Sequence, residues 1–138
     1  MCGILAAINH KRDRVDLISA RKLMSFRGPD HQKDLFIDDM TYLGHNRLSI
    51  IDLNERSNQP FRSKDYYIIF NGEIYNYREL IVKHRLKIRT ESDTEVLLEM
   101  YKKYGHKCLD FFNGMFSFLI YNTLSKDFFV ARDRLGIK

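Results

Sequence analysis

An uncharged apolar run begins at the third residue and constrains the fold of this chain more than any other feature. Cys2 follows the initiator methionine directly, and residues 3–9 (GILAAIN) continue without a charge. A short apolar run with no alternating polar positions predicts a strand that is buried on both faces. Because chain termini fray unless a sheet holds them, this strand predicts a terminus fixed in the core, with Cys2 at a defined position.

The remaining periodicities predict helices that cluster between groups of strands. Apolar spacing predicts a helix over residues 16–26, which the turn signal Gly28-Pro29 ends within the segment RGPDHQKD. Aromatic and β-branched residues predict strands at 41–51, 66–71, 115–121 and 128–132. This order favours an α+β layered domain over regular βαβ winding.

Capping residues predict the helices of the second half of the chain. Asn76 is placed to cap a helix that runs to His84, and Ser92 with Glu95 forms the S-x-x-E capping box of the next helix. A third, short helix is predicted around Cys108. All three lie between the strand groups, as an α+β arrangement requires.

Composition excludes several classes of protein. The chain has 138 residues, 44% hydrophobic and 30% charged, which suits one globular domain. No apolar run approaches the ~20 residues that span a bilayer, so no membrane association is expected. Two cysteines are too few for a disulfide framework, which predicts free thiols and a cytoplasmic location. The histidines lack zinc-ligand spacing, so no metal site is expected.

A net charge of +5 raises the hypothesis of nucleic-acid binding. The densest basic run is KHRLKIR at residues 83–89, where the charges alternate with Leu86 and Ile88 as in a half-buried strand or helix end. The other basic residues are scattered among 18 acidic ones. The pattern favours an ordinary solvated surface, and no nucleic-acid partner is predicted.

Cys2 is the first candidate for chemistry. Removal of Met1 would leave Cys2 with a free α-amine, whose ordinary pKa of about 7.7–8.0 lets it accept a thiol proton near neutral pH. One residue would then supply both a nucleophile and its base. The alternative is that Cys2 is only a small residue at the start of a core strand.

Three further positions have both a structural and a functional interpretation. Asn71-Gly72 is a strong type I′ turn signal, yet an amide side chain beside a sterically free N–H can also stabilise an oxyanion. Arg47 lies in an apolar stretch, where a guanidinium needs a partner such as a carboxylate. Asp93 follows the Ser92 cap, where a carboxylate also complements the helix dipole.

Seven motifs, in this order, resemble the class II glutamine amidotransferase domain of asparagine synthetases, an N-terminal-nucleophile (Ntn) hydrolase. Sugar-modifying relatives would look similar. The resemblance spans the whole chain and implies one glutaminase domain over residues 2–138. It also implies a four-layer αββα sandwich of two antiparallel sheets between helices. The motifs are MCGI, RGPD, RLSIID, NGEIYN, ESDTEV, GMFSF and ARDRLGIK.

The resemblance implies a role for each candidate. Cys2 would attack the glutamine side-chain amide and form a thioester, with Asn71 and Gly72 as the oxyanion hole. Arg47 would bind the α-carboxylate of glutamine, and Asp93 with Glu73 would bind its α-ammonium group. The backbone of four residues would line the pocket: Leu48, Ser49, Ile50 and Ile51.

Two features depart from the family pattern. Phe26 stands where the family usually has histidine, and a hydrogen bond of that loop is expected to be absent. Relatives also continue past RDRLGIK with more strands and an ATP-dependent synthetase domain, so we expect a C-terminally incomplete sandwich. No cofactor is expected for this chain, since ATP and Mg²⁺ would serve only the synthetase domain.

Two hypotheses of function follow from the resemblance. In the first, the chain is the glutaminase half of an asparagine synthetase-like enzyme and passes ammonia to a synthetase domain on a longer or separate chain. The full-length family also allows a homodimer. In the second, the chain is an inactive truncated fragment or interaction module that needs a partner chain to complete its fold.

Overall fold

The computed structural model describes residues 1–9 and 13–138. Its strands form two antiparallel sheets, which confirms the predicted α+β class. The strands are β1 (Gly3–Ile8), β2 (His31–Asp38), β3 (Thr41–Arg47), β4 (Phe61–Ser63), β5 (Tyr66–Ile74), β6 (Gly114–Asn122) and β7 (Phe128–Arg132). The helices are α1 (Arg14–Leu23), α2 (Tyr77–His84) and α3 (Asp93–Tyr104), with 3₁₀ turns at Ser25–Arg27, Glu55–Ser57 and Gly105–Phe111.

The two sheets pack face to face. The first sheet has the strand order β1-β3-β2, and the second has the order β4-β5-β6-β7. Leu43 of β3 meets Ile69 of β5 and Leu119 and Tyr121 of β6 in one buried cluster, and Ile4 of β1 packs against it. This apolar layer brings the start of β1 beside β5.

Helices cover the outer faces of both sheets. Arg21 of α1 is buried against the first sheet, where it bonds Asp34 of β2 at 2.6 Å and Asn46 of β3 at 2.8 Å. On the second sheet, α3 contributes Leu97 and Met100 to the larger core cluster. The layers therefore follow the predicted order of helix, sheet, sheet and helix.

Strand β1 is less buried than its sequence predicts. Gly3 is buried, but the other residues of the strand are half-buried. The prediction of burial on both faces was wrong because, within residues 1–9 and 13–138, β1 pairs with β3 alone and is the outer strand of its sheet.

Strands β2 and β4 were not predicted. The sequence HQKDLFID alternates polar and apolar residues weakly, and β2 forms because it pairs with β3 over its length. Strand β4 has three residues, too few for a periodicity. Strand β3 ends at Arg47 and not at residue 51, because the following backbone turns around the Arg47 side chain.

The turn interpretation of Asn71-Gly72 was wrong. Both residues lie inside β5, where Asn71 pairs with Ser117 and Gly72 with Phe116. Nine residues of continuous pairing with β6 hold this segment extended. Long-range pairing therefore overrides the local preference of the Asn-Gly dipeptide.

The helix ends differ in detail from the predictions. Helix α1 begins at Arg14 with Asp13 as its cap. The Asn76 side chain bonds Phe111 and does not cap α2. Ser92 caps α3 as predicted, but the Glu95 carboxylate accepts from the backbone of Arg89 and Thr90 and leaves the capping box half-formed. No helix among the described residues is long and apolar enough to cross a membrane.

Candidate active site

Cys2 directly precedes β1, and its thiol lies against Leu48, the residue that follows β3. The Leu48 N–H points at Sγ at 3.5 Å, and Sγ lies 3.8 Å from the Leu48 carbonyl oxygen. Burial raises the pKa of the Cys2 thiol, while the Leu48 N–H and the nearby Arg47 charge oppose that rise. A group that takes the thiol proton directly is therefore needed for reactivity.

The RGPD segment, interpreted from sequence only as a turn and a motif, holds Cys2 in place. The Arg27 guanidinium donates to the Cys2 carbonyl at 3.1 Å, and the Asp30 carboxylate accepts from the Ser49 N–H at 2.7 Å. Gly28 packs on the backbone of Asn46, where a Cβ would lie 2.3 Å from the carbonyl oxygen. Sequence reasoning missed Arg27 and Asp30 because turn chemistry alone explains their motif.

Phe26, the departure from the family pattern, is exposed in the 3₁₀ turn that precedes this segment. Its side chain points to solvent, and the contacts of Arg27, Gly28 and Asp30 form without it.

Strand β5 lines the same pocket as Cys2, and one edge of this strand is partly unpaired. Its first residues pair with β4, and beyond them side chains take the backbone donors: Gln59 Oε1 accepts from the Phe70 N–H at 2.6 Å, and the Asp93 carboxylate from the Ile74 N–H at 3.0 Å. Gly72 lies between these two residues. Since strand residues alternate, its N–H faces the same edge, where the pocket opens.

Arg47 occupies one wall of the pocket as a buried cation. Its terminal nitrogens donate to the backbone oxygens of Ile51, Asp52 and Asn54, and at 2.7 Å to the Asn58 side chain. All of these acceptors are neutral, and no carboxylate among residues 1–9 and 13–138 lies within 4.0 Å of the guanidinium. The wall therefore attracts a negatively charged group.

Asp93 forms another wall of the same pocket, as a buried carboxyl at the start of α3. Burial and the nearby Glu73 charge raise the pKa of Asp93 to about 6, although the hydrogen bond from the Ile74 N–H opposes this rise. Both carboxyl groups line the pocket. A cationic group placed beside Asp93 would stabilise its charged form.

One pocket joins these parts. Of the predicted site residues, Ser49 is not among those that line it, since its N–H is turned to Asp30. The predicted residues that do line it are Cys2, Arg47, Leu48, Ile50, Ile51, Asn71, Gly72, Glu73 and Asp93. Sequence reasoning missed Ser57, Gln59, Thr94 and Met115, which also line it. Thr94 and Met115 lie within the ESDTEV and GMFSF motifs, whereas no local pattern marks Ser57 or Gln59.

The sequence model of the glutamine amidotransferase domain matches residues 1–138. The chain belongs to the glutamine amidotransferase domain family.

Asparagine synthetases are among the relatives of this glutamine amidotransferase domain. It is 37% identical to the putative asparagine synthetase [glutamine-hydrolyzing] 2 of Methanocaldococcus jannaschii, over all of this chain and 31% of that protein. It is 37% identical to asparagine synthetase B [glutamine-hydrolyzing] of Escherichia coli, over 99% of this chain and 26% of that protein. Asparagine synthetase [glutamine-hydrolyzing] 1 of Bacillus subtilis is 41% identical, over 100% of this chain and 23% of that protein.

The amidotransferase domain therefore spans a quarter to a third of the length of the curated relatives it matches. It is homologous to a part of glutamine-hydrolysing asparagine synthetases.

Proposed function

We propose that residues 2–138 form a glutaminase domain that hydrolyses L-glutamine to glutamate and ammonia, with Cys2 as the nucleophile. The observation that carries the proposal is one pocket whose lining includes the Cys2 thiol, the Arg47 cation and the Asp93 and Glu73 carboxyl groups. An α-amino acid carries an anion and a cation on one carbon, so a pocket with one positively charged wall and one negatively charged wall suits its head group. Its side chain then points to the thiol.

The first chemical step forms a thioester. Met1 is exposed, so an aminopeptidase can reach it, and its removal frees the Cys2 α-amine. The amine takes the thiol proton, and Sγ attacks the amide carbon of glutamine. The Asn71 side-chain amide and the Gly72 N–H stabilise the oxyanion. Collapse breaks the C–N bond, and the proton held by the amine leaves with ammonia.

The second step releases glutamate. The α-amine, now unprotonated, takes a proton from water as the water oxygen attacks the thioester carbon. The same donors stabilise the second oxyanion, the C–S bond breaks, and the proton returns to Sγ. The enzyme is regenerated with no cofactor, since neither step transfers electrons.

We propose that the ammonia acceptor binds outside these residues. The relatives are named asparagine synthetases, and this chain covers only 23–31% of their length. We propose that ammonia passes to an ATP-dependent amide-forming domain on a longer or separate chain. ATP and Mg²⁺ would bind there, and the acceptor would be aspartate, another acid or a sugar substrate.

The intact mass of the purified chain tests the proposal. After incubation with a diazoketone analogue of glutamine, we expect a chain that lacks Met1, carries one adduct and is protected by excess glutamine. A Cys2→Ala variant is the control and should stay unmodified, with glutamate release reduced at least ~10³-fold. A processed chain that forms no adduct would contradict the proposal and support the alternative of an inactive fragment that needs a partner chain.

A further inference from the structure

Asp52 carries a buried carboxylate that no role assigned above explains. Its side chain is fully buried, and both oxygens accept hydrogen bonds. Oδ2 accepts from Ser57 Oγ at 2.7 Å, from the Glu91 N–H at 2.9 Å and from Arg56 Nε at 3.1 Å. Oδ1 accepts from the Asn54 side chain at 2.9 Å and from its N–H at 3.2 Å. The carboxylate is thus held by five donors from two parts of the chain.

These bonds join the two walls of the pocket. Residues 51–58 form the loop whose oxygens hold Arg47, and Asp52 itself supplies one of them. Glu91 belongs to the segment that leads into α3 and Asp93. Arg56 adds a second link between the loop and this segment, because Nη1 donates to the Arg89 carbonyl at 3.4 Å.

We propose that Asp52 is a positioning residue that sets the separation between the anion-binding wall at Arg47 and the cation-binding wall at Asp93. The inference rests on the proposed function, because it concerns how that site recognises the head group of glutamine. The two charged groups of an amino acid are attached to one carbon. Both walls can therefore bind at once only if their separation is held within a fraction of an ångström.

Asp52 acts through other residues and not on the substrate. It is not among the residues that line the pocket. Burial favours the neutral form, but hydrogen bonds from Ser57, Glu91 and Asn54 outweigh it and hold the pKa of Asp52 well below its usual range. The coupling should therefore not change between pH 5 and 8, unlike the contribution of Asp93.

Ligands that bind one wall, compared with a ligand that binds both, distinguish a coupling between the two walls from a general loss of stability. The probes are L-glutamine, 4-carbamoylbutanoate, which lacks the α-ammonium group, and 4-aminobutanamide, which lacks the carboxylate. Dissociation constants are measured by NMR titration of the Cys2→Ala chain, so that turnover does not interfere. Asp52→Asn should weaken glutamine binding about tenfold, as for residues of one hydrogen-bond network, and binding of each analogue by less than about twofold.

Two further variants keep the test decisive. Asp39→Asn makes the same charge change at an exposed aspartate and should leave all three constants unchanged. If Asp52→Asn does not fold, the double variant Asn54→Ala/Arg56→Ala removes two side-chain donors from the carboxylate at exposed positions. It should weaken glutamine binding about threefold and that of the analogues less.

Three outcomes separate this inference from the function on which it rests. A selective loss of glutamine binding supports the coupling. An equal loss for all three ligands shows a merely structural role and overturns the coupling alone. Absence of glutamine binding by the Cys2→Ala chain with Asp52 intact overturns the glutamine site, and the coupling with it.

Discussion

Arg47 and Asp93 are buried charges that the fold stabilises to different degrees. Arg47 is surrounded by backbone and amide oxygens, so its charge is hydrogen-bonded although no counterion is present among the described residues. Asp93 has the Ile74 N–H as a partner, but burial and the nearby Glu73 still raise its pKa to about 6. The wall at Asp93 therefore carries a negative charge that a cationic group of a ligand would stabilise.

Glutamine binding should weaken as the pH falls through 6. The pKa of Asp93 in the folded chain is about 6, so acid neutralises the carboxylate that would bind the α-ammonium group. We expect the dissociation constant of the Cys2→Ala chain to be about tenfold higher at pH 5 than at pH 8. Titration calorimetry at several pH values measures it, and Asp93→Asn is the matched control, weak at every pH. A dissociation constant that does not vary with pH would contradict the assignment.

Asp93→Asn should stabilise the fold while it weakens binding. A carboxyl whose pKa rises from 3.8 unfolded to about 6 folded binds its proton more tightly when folded. It therefore disfavours the folded state above pH 6, and the penalty vanishes as the pH falls toward 3.8. Urea unfolding at pH 8 should show a gain on the order of 2 kcal/mol for the variant, and the gain should shrink at pH 4. A loss of stability at pH 8 would count against this account.

Strand β5 exposes one backbone donor, the Gly72 N–H, at the edge where the pocket opens. Strand β4 is only three residues long, so the edge of β5 is unpaired from Phe70 onward. Gln59 and Asp93 take the donors on either side of Gly72. Gly72 also needs to be glycine, because a Cβ would lie 2.1 Å from the Met115 carbonyl oxygen. The NGEIYN segment thus begins inside a strand, whose edge presents the Gly72 N–H at the pocket.

Gln59→Leu should damage both the fold and the chemistry. It removes the acceptor of the buried Phe70 N–H, and an unsatisfied buried donor costs about 1–3 kcal/mol. Because Phe70 precedes Asn71, we also expect kcat for glutamine hydrolysis to fall more than KM rises. Urea unfolding and steady-state kinetics measure the two effects. Thr94→Val removes the other hydrogen bond of Gln59, from its Nε2 to the Thr94 hydroxyl, and keeps the Phe70 bond, so it should cost less stability than Gln59→Leu; equal losses in both variants would disprove the role of the Phe70 bond.

Sequence reasoning predicted the elements with strong apolar patterns, and it failed for segments that become strands only through pairing with a distant strand. Helix α3 and strands β6 and β7 were predicted within a residue or two because their apolar patterns are strong. Strand β2 was missed because its polar sequence becomes a strand only beside β3. Asn71-Gly72 was a turn by local preference and a strand by pairing with β6.

At the scale of the whole molecule, the site lies where the two sheets meet, and the far end of the second sheet is less covered. Strand β7 is the outermost described strand of that sheet. Val130 lies opposite Leu119 on the face turned to the first sheet, yet it is 57% exposed, and Phe128 is 53% exposed. An open strand edge with exposed apolar side chains is a site of self-association.

Val130→Lys should reduce concentration-dependent association of the chain. A charge on an edge strand opposes edge-to-edge pairing, and the position is already exposed. Light scattering over a concentration series measures the effect, with the free energy of unfolding expected to change by less than about 0.5 kcal/mol. Val15→Lys, at an exposed position of α1, is the matched control and should not change the scattering. Equal behaviour of the two variants would show that β7 is not the associating edge.

The sequence by itself determined the family, the α+β class and the candidates Cys2, Arg47, Asn71, Gly72 and Asp93, because motifs and apolar periods are local in the chain. Only the tertiary structure decided what these residues face. The contact of Leu48 with Cys2 spans 46 positions, and that of Asp52 with Glu91 spans 39. Such contacts depend on the registers of β1, β3 and β5, which no single segment specifies, since each register is fixed by burial and pairing with a distant strand.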